Sequence, residues 1–122
     1  MNREKLLKQL EAETAKIWRR MGEKFPECLA HNPPRIRLDG RYRKVLGFCD
    51  SENNTITLAL YFFAKNHDTM LREVLPHEIA HQVDYHITGW TEYDIDEGHG
   101  PNWQKIMLEY GLEPTRTIGI IW

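Results

Sequence analysis

Cysteine is scarce in this sequence. Two residues in 122, Cys28 and Cys49, are too few for a disulfide framework and too far apart for a CxxC pair, so both are expected as free, buried thiols. Long apolar runs are missing as well, and nothing approaches the roughly 18 consecutive apolar residues of a membrane span. The N-terminus opens on Asn2, Arg3, Glu4 and Lys5 without an apolar leader core, so a cytoplasmic protein with no membrane partner is expected. Internal repeats and low-complexity tracts are absent too, which excludes solenoids and tail-like segments. What remains is ordinary for a globular chain, with 41% hydrophobic and 28% charged residues. Such a length fits one domain, 1–122, around one core. The overall charge of -2 hides an asymmetry. Residues 1–50 carry twelve Lys/Arg against seven Asp/Glu, and residues 51–122 carry four against eleven. The first half is therefore basic enough for an anionic partner, although most such runs are solvated faces.

Leu6, Leu10, Ile17, Met21 and Phe25, joined by Leu7 and Trp18, form a 3.6-period stripe among good helix formers, which predicts an amphipathic helix ending before Pro26. Residues 27–34 read as a connector. The period then changes to two. Arg35 to Leu38 alternates, Asp39-Gly40 offers a turn, and Tyr42 to Cys49 is rich in β-formers, so a hairpin is expected there. After a turn at Ser51 to Asn54, Ile56, Leu58 and Leu60 share one face of a third strand. The expected sheet is three-stranded and antiparallel. Asp68 can cap a helix from Thr69 to about His86, with a bend or a fresh start at Pro76. Residues 88–100 are polar, acidic and glycine-bearing, and Pro101 opens a last helix that Gly111 ends, with Trp103, Ile106, Met107 and Tyr110 inward. The fold class is α+β.

His77-Glu78-Ile79-Ala80-His81 is an HExxH motif. On a helix, positions i and i+4 lie one turn apart on one face, so two imidazoles can share an ion. Glu78, turned about 100° from His77, reaches the side of such an ion as a proton acceptor rather than a ligand. Catalytic zinc usually takes three protein ligands. His86 lies half a turn away and is discarded while the helix persists. His99, between Gly98 and Gly100 at a loop-to-helix junction, is the preferred third ligand, with Asp94, Asp96 and Glu97 as acidic alternatives. Chance pairing of two surface histidines is the bland reading, and the helix context together with the Gly-flanked histidine argues against it.

Glu73-Val74-Leu75-Pro76-His77-Glu78-Ile79-Ala80-His81, then His99-Gly100-Pro101-Asn102-Trp103, then Pro114-Thr115-Arg116-Thr117, resemble the SprT-like zinc metalloprotease family (Spartan/SprT type). The proline before the first histidine and the HGxxW element are more specific than HExxH alone. Gly40-Arg41, Gly47 and Thr55 to Leu60 also fit, so the resemblance covers about residues 35–118. It implies a zincin-like α+β fold, Zn²⁺ on His77, His81 and His99, and Glu78 as the catalytic base. It further implies protein substrates crosslinked to DNA and stimulation by DNA. Many members carry a cysteine-rich zinc ribbon, whereas no cysteine follows Cys49 here.

The expected activity is therefore zinc-dependent endopeptidase hydrolysis. Arg35, Arg37, Arg41, Arg43 and Lys44 place five cations in ten residues, opposed only by Asp39, and Tyr42 can stack on a base. They are the candidate contacts to single-stranded or damaged DNA, in which case the location is nucleoid or nuclear. A monomer is expected. The strand Thr55 to Leu60 can offer an edge to an extended substrate, unless both its edges are covered. Tyr85, Tyr93 and Arg116 are weakly motivated oxyanion partners. The competing class is a non-catalytic DNA-binding or scaffold domain with structural zinc, which has no need of an unligated Glu78 and would close the fourth position. A deformylase-like hydrolase would recruit Cys49, whose setting does not suit it, and a triple-histidine ribonuclease would need a histidine soon after His81.

Overall fold

The computed structural model describes residues 2–89, 99–115 and 118–119. Helix α1 (Arg3–Lys24) begins at Asn2, whose side chain accepts from the Lys5 amide. That capping bond satisfies one of the amides a helix start leaves without a partner. Leu6, Leu10, Thr14, Ile17, Trp18 and Met21 form its buried face, as the stripe predicts. Pro26 then starts a short 3₁₀ turn (Pro26–Ala30) that folds back on α1. The return is close. A Cβ on Gly22 would sit 2.4 Å from Leu29 Cδ2, so glycine is what lets the turn approach.

Strand β1 (Arg35–Asp39), strand β2 (Gly47–Asp50) and strand β3 (Thr55–Ala59) form one sheet in the order β1-β3-β2. The sheet is mixed, which corrects the antiparallel expectation: β1 runs parallel to β3, and only β2 is antiparallel to it. The expected hairpin between β1 and the 42–49 stretch is also wrong, since those strands do not pair. Asp39 ties its carboxylate to the Arg41 amide and guanidinium. Residues 41–46 then carry the chain to the far side of β3. The true hairpin is β2–β3, closed by the turn at 51–54, where Asn54 takes a positive φ of 48°. Because β3 has a neighbour on each side, it offers no edge to a substrate.

Ile36, Ile56 and Cys49 lie in register on the core face. On the other face Arg37, Thr57 and Phe48 share a row. Gly47 presses so tightly on β3 that a Cβ there would lie 2.8 Å from the Thr57 carbonyl oxygen.

After β3 a 3₁₀ turn leads into α2 (Phe63–Thr69), a π turn at Met70–Val74 and α3 (Leu75–Thr88). Helical backbone therefore starts before Asp68, which caps nothing. Asn66 breaks the regular helix with φ -135°. The π turn absorbs Pro76: Leu75 donates back to Met70, so the amide that proline lacks falls where the ladder is already widened. Gly89, left-handed at φ 73°, caps α3. Helix α4 (Pro101–Tyr110) starts at proline and ends at left-handed Gly111, with Trp103, Ile106 and Met107 buried. Helices α1, α3 and α4 and the inner sheet face enclose the core. Among the described residues no helix is long and apolar enough to cross a membrane.

Candidate metal centre

Nine consecutive residues of α3, Leu75 to Val83, are buried. One face of α3 meets α4 and the other meets α1 and β2. His77 and His81 project toward α4, and His99 arrives one residue before its N-cap, Gly100. The Gln104 side-chain amide donates to the His99 carbonyl at 2.9 Å and holds that approach. His77, His81 and His99 each offer a ligand atom, all within 4.8 Å of one another. Three histidines so placed can hold a metal ion.

The floor of this site is Trp103, which is fully buried. Its ring centroid lies 4.8 Å from His77, 5.3 Å from His81 and 4.7 Å from His99, and it stacks nearly parallel on His81. Its Nε1 donates to the His77 carbonyl at 3.2 Å. One indole thus fixes the backbone of α3 and limits the rotation of all three imidazoles.

The donor set fits a divalent transition metal. Nε2 of His77 and Nε2 of His99 are 3.2 Å apart. With Zn–N bonds of about 2.0–2.1 Å, two nitrogens on a tetrahedral ion lie roughly 3.3 Å apart, so this pair already has the required spacing. Burial, and after it the neighbouring His99 ring, lowers the His77 pKa to about 4. At neutral pH its ring is uncharged and has a lone pair to give. The second ring nitrogen of a ligating histidine ordinarily donates to an outer acceptor. Nδ1 of His77 is buried and lacks one among the described residues.

Glu78 is buried beside His77. His86 lies apart from this group, as its half-turn offset predicts. It stacks on His31 at 3.8 Å and takes a hydrogen bond from the Gln82 amide. Gln82 also donates to the Ser51 carbonyl and accepts from the Cys49 thiol, so the buried amide ties α3 to the β2–β3 hairpin. The thiol suggested by the deformylase comparison is thus committed to Gln82. Cys28 is buried too, and burial, then Glu27, pushes its pKa to about 11. Tyr85 rests edge-on to His86 at 5.8 Å. Glu92, Tyr93, Asp94, Asp96, Glu97 and Arg116 lie outside the described residues.

Arg35 and Arg37 are exposed along β1. Arg41 is bound to Asp39 at 2.6 Å, Arg43 covers the Tyr61 ring at 4.5 Å, and Lys44 is exposed. Tyr42 meets Phe48 edge-on at 5.5 Å. Phe48 and Tyr61 thus add two rings to the basic surface, which sequence reasoning missed because strand order decides which faces meet. In sequence Trp103 is a core position of the last helix and part of the HGxxW element. Its contact with three histidines is a property of the α3–α4 packing.

A compact α+β unit with three convergent histidines, two of them one helical turn apart, defines the class: a protein with a candidate metal centre on a helix pair. The SprT-like family model matches residues 14–117, and the chain belongs to that family. Protein SprT of Pseudomonas entomophila (strain L48) is 32% identical over 84 residues, 68% of this chain and 48% of that protein. Protein SprT of Vibrio atlanticus (strain LGP32) is 29% identical over 106 residues, 80% of this chain and 61% of that one. The chain thus spans about half to three fifths of the length of these relatives. No solved structure matches it.

Proposed function

We propose that this chain is a zinc-dependent endopeptidase of zincin type, with His77, His81 and His99 as ligands and Glu78 as the catalytic base. The observation that carries the reading is the convergence of three imidazoles within 4.8 Å, two from the HExxH helix and one from the start of α4. Zinc in such a site supplies Lewis acidity that acidifies water and polarises a peptide carbonyl. The chain supplies the rest. Trp103 holds the three rings in place, and the neutral state of His77 keeps its lone pair available. The Glu78 carboxylate takes the proton of the attacking water and hands it to the departing amine nitrogen, so one group serves as base and then as acid.

The expected substrates are proteins, including proteins bound or crosslinked to DNA. Support for the DNA side is the exposed set Arg35, Arg37, Arg43 and Lys44, together with the ring of Tyr42, which meets Phe48, and that of Tyr61, which Arg43 covers. Cations that follow a backbone beside rings that stack on bases suit single strands.

The test is Glu78→Gln. The variant is expected to bind zinc as the wild type does and to lose at least about a hundredfold in kcat on an unstructured protein substrate. Full activity in the variant would remove Glu78 from the role, and loss of zinc with activity would make it a ligand or a structural residue.

A further inference from the structure

We propose that the contact between Gln82 and His86 is a proton-controlled latch: Gln82 holds His86 neutral with its proton on Nδ1, and charging His86 loosens the tie from α3 to the β2–β3 hairpin. This goes beyond the peptidase reading and does not rest on it.

Gln82 is wholly buried, and its neighbours dictate the role of each atom of its amide. The Ser51 carbonyl can only accept. It takes the Asn54 amide at 3.2 Å and lies 3.1 Å from one terminal atom of Gln82, so that atom is the nitrogen. The Gln82 oxygen then receives the Cys49 thiol at 3.3 Å. The same nitrogen stands 3.1 Å from His86 Nε2. An amide nitrogen has two hydrogens and no acceptor capacity, so one hydrogen goes to Ser51 and the other to His86. His86 Nε2 must therefore accept, and the proton of the ring lies on Nδ1. An imidazolium has a hydrogen on both nitrogens and would set N–H against N–H. Turning the Gln82 amide over gives no escape, because its oxygen would then face the oxygen of Ser51.

Three segments meet at the His86 ring. His31, in the connector, stacks on it at 3.8 Å and 8°. Trp18 of α1 meets it edge-on at 5.7 Å and donates its indole N–H to the His31 carbonyl at 3.3 Å. The titratable groups facing the ring are His31 across the stack, Tyr85 at 5.8 Å on its own helix and, through Gln82, the Cys49 thiol. Lys24 and Glu27, of opposite sign, line a cavity with its neighbour Ile87. Burial and then His31 lower the His86 pKa, and a donor bound to Nε2 acts in the same direction because it favours the neutral form. His86 stands five residues and about 140° of turn from His81, outside the cluster of His77, His81 and His99.

The latch is closed while His86 is neutral and opens as pH falls below the usual histidine range. Either the ring then leaves, which removes one of the bonds that fix the Gln82 amide, or the amide moves and its bond to Ser51 breaks. In both cases the sheet loses hold of the helix that carries His77 and His81, at the residue next to His81.

The experiment follows the histidine ring nitrogens and the Gln82 side-chain NH2 of the full chain by NMR from about pH 8 to about pH 5. Spectra with and without zinc tell the titration of His77, His81 and His99 apart from that of His86. Near pH 8, His86 is expected to carry its proton on Nδ1 with Nε2 bare. As the ring charges, the Gln82 NH2 and the Asn54 amide, which shares the Ser51 carbonyl, should shift with the same midpoint. Gln82→Met keeps the length of the side chain but has no amide, so it should release the tautomer preference and raise the His86 midpoint. Gln9→Met, on the exposed face of α1, should do neither. A proton on Nε2 near pH 8 would overturn the proposal. So would Gln82 resonances that stay in place while His86 charges, or a ring that remains neutral until the whole chain unfolds. These readings come from the wild type and hold even if Gln82→Met fails to fold; a folded Gln82→Met with unchanged tautomer and midpoint overturns the proposal as well.

Discussion

Replacing Trp103 by phenylalanine tests how the site is held. The indole is fully buried against three imidazoles, and its Nε1 satisfies the His77 carbonyl at 3.2 Å. Phenylalanine keeps a ring but removes that donor and leaves a void where the second ring lay. The lost hydrogen bond costs about 1 kcal/mol, and the incompletely collapsed void about 1–2 kcal/mol. Metal-free Trp103→Phe should therefore be about 2–3 kcal/mol less stable in urea unfolding, with an unchanged m-value. The same substitution frees the histidines to rotate. Zinc affinity, measured by competition with a chromophoric chelator, should drop about 10–100-fold, as for loss of an outer-shell support. Stability within about 0.5 kcal/mol of wild type together with zinc affinity within about twofold would refute the argument that this indole organises the centre.

Two further outcomes follow from the charges. The folded His77 pKa, about 4, lies below its ordinary 6.5, and that of His86 is also lowered, by burial and then by His31. Between those values the unfolded chain binds more protons, so the metal-free protein should keep its full stability above about pH 6.5 and lose it as pH falls toward 4, by on the order of 3 kcal/mol from His77. Chemical denaturation across that window checks it, and a flat profile would contradict it. On the sheet, Arg35→Ala/Arg37→Ala should weaken single-stranded DNA binding and flatten the log–log salt slope by about 1.4, two contacts at about 0.7 each. An unchanged slope in a fluorescence titration would place the DNA elsewhere.

Local periodicity made much of this molecule legible. The stripe Leu6, Leu10, Ile17, Met21 fixed one helix because each position recurs on the same face, and Pro101 and Gly111 bracketed another because each satisfies what a helix end requires. HExxH spacing put His77 and His81 together for the same reason. Sheet order was not legible. Alternation at Arg35 to Leu38 reports which face is buried but not which strand is the neighbour, and the Asp39-Gly40 turn looked like a hairpin while β3 was destined to enter between β1 and β2. The start of the HExxH helical stretch was misread because Asp68 is a good cap in isolation, whereas the chain was already helical from Phe63. Trp103 as the floor of the site arises from packing between segments distant in sequence, which no local pattern encodes.

The most direct test is the zinc content of the purified chain beside that of His99→Ala, by mass spectrometry of the metal after exhaustive dialysis. Close to one zinc per wild-type chain is expected, with most of it lost in the variant. Equal zinc in the two proteins would contradict it, because the third ligand would then not be the histidine that opens α4.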